Sequence, residues 1–122
     1  MKPRTMKKNE ILDLSFDFAL EIIKLVKYLK ANKEFVMSSQ LLRSGTSIGA
    51  NISEAQAAQS TNDFISKMSI ASKEARETKY WLRLLDKSKY LEKYQRKNVL
   101  FESMQSIIKL LTSIIKTTQE KN

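Results

Sequence analysis

Apolar side chains recur along this chain in alternating steps of four and three, from Ile11 to Thr118, with few interruptions. That spacing keeps one flank of an α-helix apolar turn after turn. Glycine and proline, which break such runs, number only two and one in 122 residues. Sandwiches and barrels need turn formers at short regular intervals, so the chain is predicted to be all-α. With 42% hydrophobic and 29% charged residues it is too apolar for a disordered tail, and its length suits one core.

Four periodic segments follow one another. The first opens at Asn9, an N-cap residue type, and carries Ile11, Ser15, Phe18, Ile22, Leu25 and Leu29 on one seam. A second row, Leu12, Phe16, Ala19, Ile23 and Val26, makes its apolar face wider than one neighbouring helix would cover. Its acids come first and its lysines (Lys24, Lys27, Lys30, Lys33) last, as the helix dipole favours. Residues 1–8 are predicted to form a mobile basic arm, and 9–120 a single domain.

The second segment runs from about Phe35 to Ala58, with Leu41, Gly45, Ile48, Ile52 and Ala55 as its seam. Each glycine costs a helix roughly 1 kcal/mol relative to alanine, so Gly45 and Gly49 need an offset. Close approach of another helix backbone is one; a kink or ligand-facing backbone is the other. Ser60-x-x-Asp63 has the form of a helix N-terminus and opens the third segment, whose seam is Phe64, Met68, Ala71, Ala75, Thr78, Leu82 and Leu85. After a connection at 87–92, Leu100, Met104, Ile107, Leu111, Ile114 and Thr118 form the fourth. Short connections make neighbours antiparallel, which predicts an up-down-up-down four-helix bundle of helices about 20–25 residues long.

The residues absent narrow the chemistry. Without Cys or His there are no disulfides, thiol nucleophiles, zinc fingers or Ser-His catalysis. Glu54, Glu74 and Glu77 come without a nucleophile, metal-ligand set or phosphate loop, so no catalytic residue, metal or cofactor is assigned and the chain is expected not to be an enzyme. Lys and Arg total 22 against 13 Asp and Glu, a net charge of +9 that attracts polyanions. No apolar run reaches transmembrane length, and the basic start lacks the apolar stretch of a signal peptide, which predicts a cytoplasmic protein with no membrane partner.

The stretch from Ser39 to Leu85 carries further information. Gln40-Leu41-x-Arg43, then Ser47-Ile48-x-x-Asn51-Ile52-x-Glu54, Ser60-x-x-Asp63-Phe64-Ile65, Ile70-Ala71 and Lys73-Glu74-Ala75-Arg76-Glu77-Thr78-Lys79-Tyr80-Trp81-Leu82 resemble the four helix bundle family. Its members were first described as reading frames in intervening sequences of bacterial 23S ribosomal RNA genes. The family often has Asn-Ile-Ala-Glu-Gly where this chain has Asn51-Ile52-Ser53-Glu54-Ala55, so the second helix is expected to run further. The resemblance implies a bacterial up-down bundle that assembles into a homopentamer. It also implies kinship with the accessory variability protein of diversity-generating retroelements, a basic pentamer that engages nucleic acid and a reverse transcriptase.

Three groups of candidate site residues follow. Arg76, Lys79, Arg83, Lys87, Lys89, Lys93, Arg96 and Lys97, with the N-terminal arm, are candidates for RNA or DNA phosphate contacts. Tyr80, Tyr90 and Tyr94 sit among them as stacking or packing groups. Ile70, Trp81 and Leu84 lie off the third seam, and Phe101, Ile108 and Ile115 off the fourth, as candidate contacts for oligomerisation or for a protein partner. Ser47, Asn51 and Glu54 share a helix face and, with Arg43, form a polar cluster read as a hydrogen-bond or ion-pair network, or else a partner surface. Nucleic-acid binding and a pure protein-interaction scaffold are the two functions this pattern leaves open.

Overall fold

The computed structural model describes residues 3–121, with side chains from Glu10 onward. Four helices follow in order: α1 Pro3–Ala31, α2 Val36–Ala55, α3 Thr61–Lys87 and α4 Lys97–Glu120. Contacts run α1 to α2, α2 to α3, α3 to α4 and α4 back to α1, as in an antiparallel four-helix bundle with up-down connectivity. No helix among the described residues is long and apolar enough to cross a membrane.

Two boundaries differ from the sequence expectation. Helix α1 starts at Pro3 rather than Asn9, so residues 3–8, expected as an arm, are its first turns. Proline suits a first helical position because its N–H has no intrahelical partner there, and nothing between Thr5 and Lys8 breaks a helix. Met1 and Lys2 lie outside the described residues, as do the side chains of Arg4, Lys7 and Lys8. Helix α2 stops at Ala55 despite the missing glycine, and the chain turns through Gln56 and Ala57 without leaving ordinary right-handed backbone. The Ser60 cap then starts α3, its hydroxyl accepting the Asp63 N–H at 3.0 Å.

The four seams meet in one core, from Ile11, Phe18 and Ile22 through Leu41, Ile48 and Met68 to Leu100, Ile107 and Leu111. Gly45 offsets its helix cost by close packing: a Cβ there would lie 2.8 Å from Cγ1 of Ile22. Gly49 lies against the Ser15 backbone, where a Cβ would meet the carbonyl oxygen at 3.4 Å. Close approach of α1 is therefore the use of Gly45, and α2 runs unbroken through both glycines. Among the described residues, the buried side-chain polar groups are hydrogen-bonded. Thr78 Oγ1 bonds both Ser44 Oγ, at 2.9 Å, and the Glu74 carbonyl, at 2.8 Å. The buried Glu34 carboxylate accepts the Ser38 N–H at 2.8 Å and caps the start of α2.

Helices α1 and α3 terminate alike. At each end the left-handed position is a lysine, Lys33 at φ 67° and Lys89 at φ 72°, where glycine is the usual occupant. Glu34 N–H bonds the Leu29 carbonyl and Lys33 N–H that of Lys30; Tyr90 N–H bonds that of Leu85 and Lys89 N–H that of Asp86. Both are Schellman motifs, and the antiparallel topology puts them at the same end of the bundle. Buried Leu91 then pins the α3–α4 connection to the core.

Candidate functional site

The eight basic residues singled out in the sequence divide three ways. Lys87, Lys89 and Lys93 are exposed at the end of the bundle where α3 stops, and none pairs with a described carboxylate. Arg83, Lys79 and Arg76 continue this exposed positive surface back along α3 for about 17 Å of helix rise. Arg96 and Lys97 are instead drawn into ion pairs. Arg96 holds Glu21 with two bonds, Nε at 2.6 Å and Nη2 at 2.8 Å, and Lys97 reaches Asp86 at 2.7 Å. The Arg96 guanidinium holds the Glu21 carboxyl below its ordinary range against an opposing push from burial.

The fold adds cations that the sequence pattern read only as partners of a helix dipole. Lys27, Lys30 and Lys33, all exposed, end α1 beside the α3–α4 connection. Only the helix order reveals this neighbourhood, because more than fifty residues separate the two groups in the chain. The first turns of α1 lie at the opposite end of the bundle, about 34 Å of helix away, so the two basic regions do not merge.

The tyrosines also separate by role. Tyr94 packs on Tyr28 with ring centroids 4.8 Å apart, and burial pushes its phenol up. Tyr80 is exposed and meets Trp81 edge-on at 5.6 Å. Tyr90, also exposed, lines a cavity of about 240 Å³ together with Tyr28, Asn32, Lys89, Glu92 and Lys93.

The motif polar residues form no single network. Asn51 donates to the Ser47 carbonyl at 2.9 Å within α2, and Glu54 pairs with Lys67 of α3 at 3.7 Å. Arg43 crosses to α3, where it bonds both carboxylate oxygens of Glu74, at 3.2 and 3.0 Å, and also reaches Glu77. Trp81 donates its indole N–H to the same Glu77 carboxylate at 3.1 Å. That bond first, and Arg43 second, hold the Glu77 carboxyl below its ordinary range. Family-like residues of α2 and α3 thus meet in a helix-to-helix clasp that also orients Trp81.

Among the candidate apolar contacts, Ile70 and Leu84 are exposed, whereas Trp81, Phe101, Ile108 and Ile115 are half-buried against the core. Another exposed apolar row lies on α1. Phe16, 64% exposed, stands with Leu20 and Ile23 on α1 beside a groove of about 490 Å³ between α1 and α2. Small residues Thr46, Gly49, Ala50 and Ser53 floor the α2 side. Helix α2 has two charged residues, Arg43 and Glu54, among its twenty. The groove's α1 side carries Asp13, but the charge depletion of α2 beside exposed apolar groups is closer to the composition of an interface core than to that of a solvated face. The second apolar row on α1 is the sequence signal for it.

Comparison with known proteins bears on these surfaces. The family model described as 23S rRNA-intervening sequence protein matches residues 7–113. A crystal structure of a protein of unknown function from the S23 ribosomal protein family of Bacteroides thetaiotaomicron superimposes with a TM-score of 0.85. It is 52% identical, and the match covers 90% of this chain and 98% of that one. No curated protein matches.

Proposed function

The chain belongs to the 23S rRNA-intervening sequence protein family, and from that premise we propose that it is a non-enzymatic, self-assembling bundle that binds nucleic acid through phosphate contacts at its basic end. One observation carries this: Lys30, Lys33, Lys87, Lys89 and Lys93 converge at one end of the bundle, and none has a described carboxylate partner. Unneutralised cations displace counterions from a phosphate backbone, a term that is independent of base sequence and falls steeply with salt. Arg96 and Lys97, engaged with Glu21 and Asp86, serve the fold more than the ligand. The absence of His and Cys supports a non-enzymatic role, and the cytoplasm is the compartment that fits a polyanion ligand.

Self-assembly is supported by the charge-poor surface over α1 and α2. Copies of net charge +9 repel one another, and the α2 side of this groove, which carries no lysine and faces Asp13 of α1, is where they can meet without setting lysine against lysine. Five copies, the number the family resemblance implies, would repeat the basic end around a ring and turn weak contacts into avid ones. The same face favours a second reading, a scaffold whose apolar groove takes another protein and no nucleic acid. Titration of RNA and of DNA with the protein at low and moderate salt separates the two. Binding that weakens steeply with salt is expected. No binding at low salt, or binding indifferent to salt, contradicts the nucleic-acid role and leaves the scaffold.

A further inference from the structure

At the basic end, the cavity between the last turn of α1 and the α3–α4 connection joins a concave wall, an exposed aromatic ring, two cations and one carboxylate, Glu92. From this geometry we propose that it takes one unstacked base of a single-stranded nucleic acid, with Tyr90 as the stacking surface and Lys89 and Lys93 holding the flanking phosphates. The inference rests on the nucleic-acid binding proposed above and narrows it to single strands.

The rings differ in availability. Tyr28 is fixed as a wall by Tyr94, and its backbone carbonyl is taken by Asn32 Nδ2 at 2.8 Å. Tyr90 has no ring partner among the described residues and is 40% exposed. A volume of about 240 Å³ suits a single planar heterocycle, and a base inside a duplex cannot present its face to such a hollow. Stacking on an aromatic ring tolerates any base, which fits a site whose cations read only backbone.

Lys33 and Lys89 supply a second, independent observation. Each holds a left-handed backbone position that costs a side chain about 1 kcal/mol or more and that glycine would fill more easily. A lysine at a helix C-terminus is favoured by the dipole, and a strand crossing this end would meet the same two cations. Lys89 also lines the cavity, beside Lys93 and Glu92.

The test is titration of the full chain with a short mixed-sequence single strand and with a duplex of equal length, repeated with Tyr90→Ala and Tyr90→Phe. Thermal unfolding first checks that both variants fold. Tyr90→Ala is expected to weaken single-strand binding by about fivefold or more, to leave duplex binding within twofold, and to be rescued by Tyr90→Phe. Equal loss for both ligands, or no loss for the single strand, overturns the base site while salt-dependent binding of the parent chain keeps the broader proposal. If neither strand binds the parent chain at low salt, both fall. Polyglutamate that binds with the same dependence on Tyr90 also overturns the base site, in favour of an acidic peptide.

Discussion

The surface over α1 and α2 and the end of the bundle near residues 28–36 and 84–97 are made from opposite materials. Helix α2 presents Thr46, Ala50 and Ser53 beside Phe16, Leu20 and Ile23, with Arg43 and Glu54 as its only charges. The end exposes Lys30, Lys33, Lys87, Lys89 and Lys93 around Tyr90. A net charge of +9 is therefore not spread evenly. One region, the proposed contact between copies, has no lysine on its α2 side, and another, the proposed phosphate site, concentrates lysine. The contrast makes the proposed assembly and the proposed ligand binding separately breakable.

The largest effect is expected from charging the face over α1 and α2. Phe16→Glu and Ala50→Glu alter exposed helix positions, where substitutions change folding by roughly 0.5 kcal/mol or less. Each should nevertheless shift the particle from multimer to single chain, measured as absolute mass by light scattering. An unchanged mass would remove this face from the interface and return attention to Ile70 and Leu84.

Next comes the helix contact beneath that face. Gly45→Ala drives a methyl into Ile22 and should destabilise by about 1–3 kcal/mol in denaturant unfolding. Gly49→Ala meets ordinary contact distances and should be neutral or stabilising by up to about 1 kcal/mol. Equal effects at the two positions would contradict the close approach of α1 to α2 at Gly45.

At the basic end the sign reverses. Lys33→Gly and Lys89→Gly relieve left-handed backbone and should each stabilise the fold by about 0.5–1 kcal/mol. Lys89→Gly should at the same time weaken single-strand binding. A gain in stability with loss of binding is the pattern of a residue kept for its ligand, and a loss of both would assign Lys89 to the fold.

The smallest effect expected is that of acid on the ion pairs. Glu21 and Glu77 have carboxyls held below their ordinary value of 4.5. The stability they contribute is complete above that value and is lost as pH falls through their lower folded values. Melting temperature should therefore fall below about pH 4.5, and Arg96→Gln should flatten part of that fall by removing the main cause at Glu21.

Much of this architecture was legible in the sequence because helix seams are a local property. Every seam residue from Phe64 to Leu85 is buried, and the Ser60 cap sits where its spacing put it. What was not legible depends on which helices are neighbours. Lys30 and Lys33 read as dipole partners of α1 until the fold set them beside Lys89, and Arg96 read as a free cation until Glu21 came within reach. The interface residues named on α4 have the right period, but helix packing half-covers them, whereas Phe16 stays open beside a groove created by small α2 residues. Helix ends were the other gap, since α1 starts at Pro3, before the Asn9 cap candidate, and α2 ends at Ala55 without the glycine that usually signals an end.

Phosphate contact at the basic end is tested most directly by the salt dependence of RNA binding, measured for the parent chain and for a variant with Lys30, Lys33, Lys89 and Lys93 replaced by glutamine. For the parent, affinity should fall steeply and log-linearly with salt; for the variant, the slope should be shallower by up to about four phosphate contacts, with the particle mass unchanged. Identical slopes for the two proteins would mean that the basic end does not touch the ligand, and would contradict the division of the molecule into an assembling face and a binding end.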